Sequence, residues 1–276
     1  MEDAARLGAR DLRRAVAGAY DRICAAMRRL AVPFPIRMWS FLPGIHGAPE
    51  PGIDRYMVFN AGRHDALAGW CGGPDEFERV LPASTAVGVV GPDLRIYCLA
   101  SREPGRPVEN PRQRPAYRYT RRYGPLPPCF ARATLARIGT TPCFLISGTA
   151  SVLGEDSRHV GSLSRQLAET LANMEALLTP SVEGFLRGRP RPGEAAALIR
   201  EVRAYHARRD DGPAVGEAVR RRFPNLERLE LVQAAICRSE LEVEIEALAH
   251  HRTLTTRPAR GATVPGRRRP GAPPSP

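Results

Sequence analysis

Glu240, Glu242, Glu244 and Glu246 alternate with Leu241, Val243 and Ile245 in the stretch that opens at Cys237. A period of two is the signature of a strand with one face on a core. Carboxylates spaced this way repel one another unless something separates them, and two readings follow. In one, the stretch is a solvated edge or outer strand. In the other, one glutamate faces a cavity, where burial and like charge keep a proton on it at neutral pH and make it a general acid.

The remaining residue types narrow the chemistry. All 41 basic residues are arginine. Without lysine, Schiff-base and pyridoxal-phosphate chemistry lack their amine nucleophile. The six cysteines form no CxxC pair and the six histidines no HExxH motif, so the expectation is reduced, buried thiols, no metal site and no cofactor. The net charge of +12 is concentrated at the C-terminus, where six arginines and no acid follow from Arg252 onward. With no aromatic-interleaved basic motif, nucleic acid is not an expected partner. No run of about 18 apolar residues predicts a membrane span. The opening Met-Glu-Asp-Ala-Ala-Arg does not resemble a secretory signal, so the expected location is cytoplasmic.

At 276 residues the chain is long enough for two domains or one large one. Apolar spacing predicts a helix over 3–30, stopped by Pro33 and Pro35, and a second over 54–70. Strands are expected over 36–42, 84–90 and 94–100, the last two as a hairpin around Gly91-Pro92-Asp93. From Arg102 to Cys129 proline, arginine and tyrosine predominate, an irregular stretch long enough to suggest function. Strands over 130–138 and 143–147, a helix over 161–178, a strand over 196–207, a helix over 212–223 and a final strand over 236–249 complete the pattern. This is an α+β fold of mixed sheets with helices on one face, in two halves that match if the first lacks an opening hairpin.

Several segments in register carry a family resemblance: Trp39-Ser40-Phe41-Leu42-Pro43-Gly44-Ile45, Arg55 to Arg63, Glu109-Asn110-Pro111-Arg112-Gln113, Tyr123-Gly124-Pro125, Ser147-Gly148-Thr149-Ala150-Ser151-Val152 with Gly154, and Cys237 to Glu246. Together the chain resembles the chorismatases, which act on chorismate and are built from two domains of the RidA/YjgF (chorismate-mutase-like) type. The resemblance implies an incomplete N-terminal domain with its connecting segment over 1–128 and a C-terminal domain with the catalytic strand over 129–251. The Arg/Pro-rich remainder, 252–276, is expected to be disordered.

The resemblance also implies roles. Glu244 corresponds to the general acid that protonates the enolpyruvyl methylene carbon, releasing pyruvate and forming 3-hydroxybenzoate or a dihydroxycyclohexadiene carboxylate as a secondary-metabolite starter unit. Cys237 resembles a cysteine beside that acid in the hydroxybenzoate-forming branch, whereas Ala150 looks more like the dienediol-forming branch. Strict alternation puts Cys237 and Glu244 on opposite faces, so their meeting needs an irregularity. Chorismate carries two carboxylates, which call for cationic clamps. Arg55, Arg63, Arg112 and Arg132 with Tyr117, Tyr119 and Tyr123 are the candidate ligands, Gly148 and Thr149 with Ala150 the close backbone approach, and Asn60 and Gln113 candidates for orienting water or a ring hydroxyl.

This chain departs from the family pattern in Gly154-Glu155-Asp156, with His159 further on, and in Glu242, where an apolar residue is usual. It also begins where opening strands are expected, which predicts an open sheet edge in the first half. The alternatives to a chorismatase are a truncated, non-catalytic relative and a RidA-like module binding a small carboxylate.

Overall fold

The computed structural model describes residues 1–179, 182 and 195–250. The expected disordered segment, 252–276, lies outside the described residues. The first long helix, α1 (Ala9–Arg29), buries Leu12, Val16, Tyr20, Cys24 and Met27 on one side. It is followed by β1 (Phe34–Pro43) and α2 (Arg55–Cys71). Asp54 caps α2 by accepting a hydrogen bond from the Met57 amide at 2.7 Å, and Gly72, at φ 82°, ends it in the left-handed conformation that a glycine adopts without strain. A single turn, α3 (Phe77–Val80), leads to β2 (Ala83–Val89) and β3 (Arg95–Ser101).

β2 and β3 do not form the expected hairpin. β1 lies between them, parallel to β2 and antiparallel to β3. The turn chemistry at Gly91-Pro92-Asp93 reverses the chain, but the connection steps over β1 instead of pairing neighbours.

The stretch from Arg102 to Cys129 is not wholly irregular. It contains β4 (Arg106–Val108) and 3-10 turns at Ala116–Arg118 and Arg121–Tyr123. Then come β5 (Ala133–Ile138), β6 (Thr141–Ala150), the short pair β7 (Val152–Leu153) and β8 (Asp156–Ser157), α4 (Leu163–Leu177), β9 (Ile199–His206), α5 (Gly212–Arg222), β10 (Arg228–Gln233) and β11 (Val243–His250). Two boundaries correct the sequence reading. β10 was not anticipated, and the final strand begins at Val243, because residues 237–242 form a turn closed by the Leu241 amide on the Arg238 carbonyl.

Six strands form the larger sheet in the order β10-β9-β11-β6-β5-β4. α1-β1-α2-β2-β3 and α4-β9-α5-β10-β11 repeat one another: in each, the first strand is central, parallel to the second and antiparallel to the third. β11 therefore sits inside the sheet, between β9 and β6, and is not the edge strand that the glutamate run allowed. α4 and α5 pack with Val243, Ile245 and their neighbours on one face of the larger sheet, while α1 and α2 cover Met38 and Leu42 of the smaller one. The other faces of the two sheets meet. There the Ser84 amide donates to Ser147 Oγ at 2.9 Å, the Ala83 amide to Thr134 Oγ1 at 2.8 Å, and the Gly88 amide to the Ala235 carbonyl at 2.7 Å. Gly88 is a glycine for reasons of space: a Cβ there would lie 2.5 Å from Ile45 Cγ2 and 2.9 Å from Ala235 Cβ.

Candidate active site

Val243 and Ile245 point into the helix-covered core, so the alternation of the strand directs Glu244 and Glu246 to the opposite face, where the two sheets meet. Glu244 is 4% exposed and pairs across the sheet with Ala150 on β6 and Tyr205 on β9. Its carboxyl occupies the space that a side chain at position 148 would take: a Cβ on Gly148 would lie 1.9 Å from Glu244 Oε1. Burial, and next the charge of Glu246, push the Glu244 carboxyl up to about 8, against the opposing pull of Arg37, Cys237 and Arg132. A carboxylic acid held neutral at pH 7 in an enclosed site is a proton donor.

Cys237 does reach the acid. The turn at 238–240 replaces strict strand alternation, and the Cys237 side chain, Glu244, Gly148 and Ala150 line one cavity of about 80 Å³. Burial and the neighbouring Glu244 push the thiol up to about 12, so it is a neutral hydrogen-bond donor and not a thiolate nucleophile.

The opposite wall is aromatic and cationic. Tyr119 and Tyr123 stand with ring centroids 5.2 Å apart, and the Arg238 guanidinium lies 3.9 Å from the centroid of Tyr123. Arg238 Nη1 donates to the Glu155 carbonyl at 2.9 Å and to Ser157 Oγ at 3.0 Å. Arg132 Nη2 donates to Tyr119 Oη at 2.6 Å and to the Arg114 carbonyl at 2.8 Å, with its guanidinium over Phe130 and Tyr119. Both arginines reach the cavity without a carboxylate partner among these hydrogen bonds, and this is an arrangement suited to an anionic ligand.

Of the residues singled out from sequence, Glu244, Cys237, Tyr119, Tyr123, Arg132, Gly148, Ala150 and Gln113 come together around the cavity. Gln113 holds the Val152 carbonyl through Nε2 at 3.1 Å, and its Oε1 is buried without a hydrogen-bond partner. The others lie elsewhere. Arg55 donates to the backbone carbonyls of Pro43, Leu7 and Ala4, tying the N-terminal segment to α2. Arg63 is buried behind the wall, with Nη2 2.8 Å from Asn60 Oδ1 and its guanidinium over Phe59 and Phe130, so Asn60 serves the arginine. Arg112 pairs with Glu169 on α4 at 2.7 Å. Tyr117 packs against Phe77, and Thr149 Oγ1 donates to the Ser147 carbonyl. A polar side chain on the wrong strand face, or one already holding a backbone carbonyl, cannot be told from a ligand by residue type alone.

Arg238, Tyr56, Asp54 and Phe130 also line the cavity and were not singled out. Arg238 had a signal, since it directly follows Cys237 in the opening stretch. At the departures from the family pattern, Glu242 accepts from Arg208 through one oxygen while its Oε2 is buried without a partner, and Glu155 accepts from Thr120 and pairs with Arg114.

The family described as "Chorismatase FkbO/Hyg5-like, N-terminal" matches residues 3–100. A 3-hydroxybenzoate synthase from Streptomyces hygroscopicus is 35% identical over 242 residues, covering 85% of this chain and 68% of that protein. A chorismatase from the same organism is 32% identical over 235 residues, covering 85% of this chain and 67% of the other. The crystal structure of a chorismatase superposes with a TM-score of 0.75 at 30% identity, over 86% of this chain and 70% of that one. With a relative 35% identical over 85% of this chain and a solved chorismatase superposing on 86% of it, the chain belongs to the chorismatase family and is an enzyme of that type.

Proposed function

We propose that the protein cleaves the enolpyruvyl ether of chorismate and releases pyruvate, with Glu244 as the general acid. The observation that carries this reading is the neutral, buried Glu244 carboxyl resting in the space left by Gly148, opposite a wall that offers two arginines. Arg132 and Arg238 clamp the substrate carboxylates, and Tyr119 and Tyr123 flank the ring. An enol-ether methylene carbon is a weak base, so the donor has to be desolvated and fixed within hydrogen-bond reach of it.

Proton transfer from Glu244 to the methylene carbon converts it to a methyl group and leaves a positive charge shared by the adjoining carbon and the ether oxygen. Capture of that carbon by water, followed by collapse, yields pyruvate and a dihydroxycyclohexadiene carboxylate with one water consumed. Capture by the ring hydroxyl, then loss of the proton on the ether-bearing ring carbon with cleavage of the hydroxyl oxygen's bond to the ring, aromatises the ring, and collapse at the side-chain carbon yields pyruvate and 3-hydroxybenzoate with no net water consumed. Either route returns a proton to Glu244. The Cys237 thiol, neutral and beside the acid, can hydrogen-bond to the carboxylate between these steps.

Incubating purified protein with chorismate, quantifying pyruvate and identifying the second product by chromatography tests the reading. Pyruvate from the wild type and none from Glu244→Gln is the expected result, and the second product chooses between the two captures. A folded wild type that releases no pyruvate would overturn the proposal in favour of a small-carboxylate-binding relative.

A further inference from the structure

Two residues along β11 from the acid, Glu246 is also buried but lives among donors. Its Oε1 accepts from Trp39 Nε1 and from Arg203 Nη1, each at 3.0 Å. Its Oε2 accepts from Arg37 Nη2 at 2.7 Å and from Thr85 Oγ1 at 2.6 Å. Four donors on two oxygens suit a carboxylate and leave no place for a proton. Arg37 and Trp39 come from β1 and Thr85 from β2, so the smaller sheet closes around a charge carried by the larger one.

Thr85 is the joint of this cluster. Its hydroxyl gives its one proton to Glu246 and accepts from Arg37 Nη2 and from the Gly148 amide, the latter at 2.9 Å. One donor and two acceptor sites are all a hydroxyl has, so Thr85 is saturated and its orientation fixed. Gly148 is the residue against which the Glu244 carboxyl rests, and a Cβ there would also lie 3.1 Å from Thr85 Oγ1. The chain of contact runs from Glu246 through Thr85 and the Gly148 backbone to the acid.

We propose that Thr85 and Glu246 are positioning residues for Glu244: Thr85 pins the backbone that walls the acid, and Glu246 holds a fixed negative charge beside it. The inference rests on Glu244 being the general acid. The titratable and charged groups around Glu244 are Glu246 along its strand, Arg37 from β1, Tyr205 beside it on β9, Cys237 and Arg238 from the turn, Tyr56 from α2, and Arg132, Tyr119 and Tyr123 on the cavity wall. Among the charged ones, Glu246 opposes ionisation of the acid, and Arg37 and Arg132 favour it. Arg37 is itself engaged by Glu246, so removing the carboxylate leaves that cation free to draw a charge onto Glu244.

The test titrates the Glu244 carboxyl directly, by carbon NMR of protein labelled at the glutamate side-chain carboxyl, in wild type and in Glu246→Gln. The midpoint falls in the variant, because the like charge is gone. A midpoint that does not move overturns the role of Glu246. Should Glu246→Gln fail to fold, Arg37→Met with Glu246→Gln removes both charges; the midpoint falls there too, since Glu246 outweighs Arg37 at Glu244. For Thr85, exchange of the Gly148 amide proton quickens in Thr85→Val and recovers in Thr85→Ser; unchanged exchange overturns the pinning. Pyruvate release from chorismate separates this inference from the parent reading. In Thr85→Val kcat falls about a hundredfold with KM unchanged, whereas a wild type that titrates as described yet releases no pyruvate sinks the chorismate reading alone.

Discussion

Glu244 combines two properties that conflict with stability. Its carboxyl is enclosed, and its nearest charged neighbour along the strand has the same sign. In the proposed mechanism the acid works in its neutral form, so pyruvate release is expected to decline as pH rises through about 8, the pH to which the carboxyl is pushed; a pH profile of kcat checks this. The stability consequence has a definite sign. The unfolded carboxyl ionises near 4.5 and the folded one near 8, so between these values the folded protein binds more protons and stability falls as pH rises. Glu244→Gln is free of that loss. Its melting temperature should exceed the wild type's by a margin that opens between about pH 5 and pH 8, while activity is abolished. Gly148→Ala makes the complementary point, since the added methyl would sit 1.9 Å from Glu244 Oε1 and must displace the acid. A loss of activity of about a hundredfold in a folded protein is expected, measured as kcat/KM.

At the scale of elements, the run of glutamates ceases to be one feature. Glu240 accepts from Ser157 and Glu242 from Arg208, both before the strand begins; Glu244 enters the cavity and Glu246 enters the donor cluster. The turn at 238–240 is what lets Cys237 and Glu244 share a wall. Helix packing in the first half depends on a comparable local detail. Gly62 on α2 faces α1 so closely that a Cβ would lie 2.4 Å from the Arg13 carbonyl oxygen and 2.9 Å from Val16 Cβ. Gly62→Ala should therefore cost about 1–3 kcal/mol, read as a lower urea midpoint at unchanged slope.

At the scale of the molecule, the site exists because two sheets meet. The acid, Cys237 and Arg238 come from β11 and the turn before it, Tyr56 and Asp54 from the start of α2, Tyr119 and Tyr123 from the connecting stretch, and Arg132 from the approach to β5. Buried contacts across the sheets, including Arg37 with Glu246 and Ser84 with Ser147, make independent unfolding of either half expensive, because each would expose an unpaired partner. Urea unfolding followed by tryptophan fluorescence should coincide with unfolding followed by circular dichroism. Both tryptophans, Trp39 and Trp70, lie in the first half, so a fluorescence transition that precedes the loss of secondary structure would show that the halves are not coupled.

The sequence by itself determined the elements whose signal is periodic: α1, α2, α4 and α5, the strands β1, β2, β3, β5, β6 and β9, and the α+β class. It also carried the motifs that identify the family, because residue type and spacing are local properties. β10 was missed although Leu229 and Leu231 alternate with Arg228 and Glu230, a run too short to be told from a loop until a neighbour pairs with it, and the start of β11 was hidden because the same alternation continues unbroken back through the turn. The placing of β1 between β2 and β3 was hidden for a related reason: turn residues report that the chain reverses, not which strand it passes over. Eight of the residues singled out line one cavity, whereas Arg55, Arg63 and Arg112 hold carbonyls, an asparagine and a glutamate. An arginine's side chain reaches far in several directions, and only the tertiary structure decides which partner it finds.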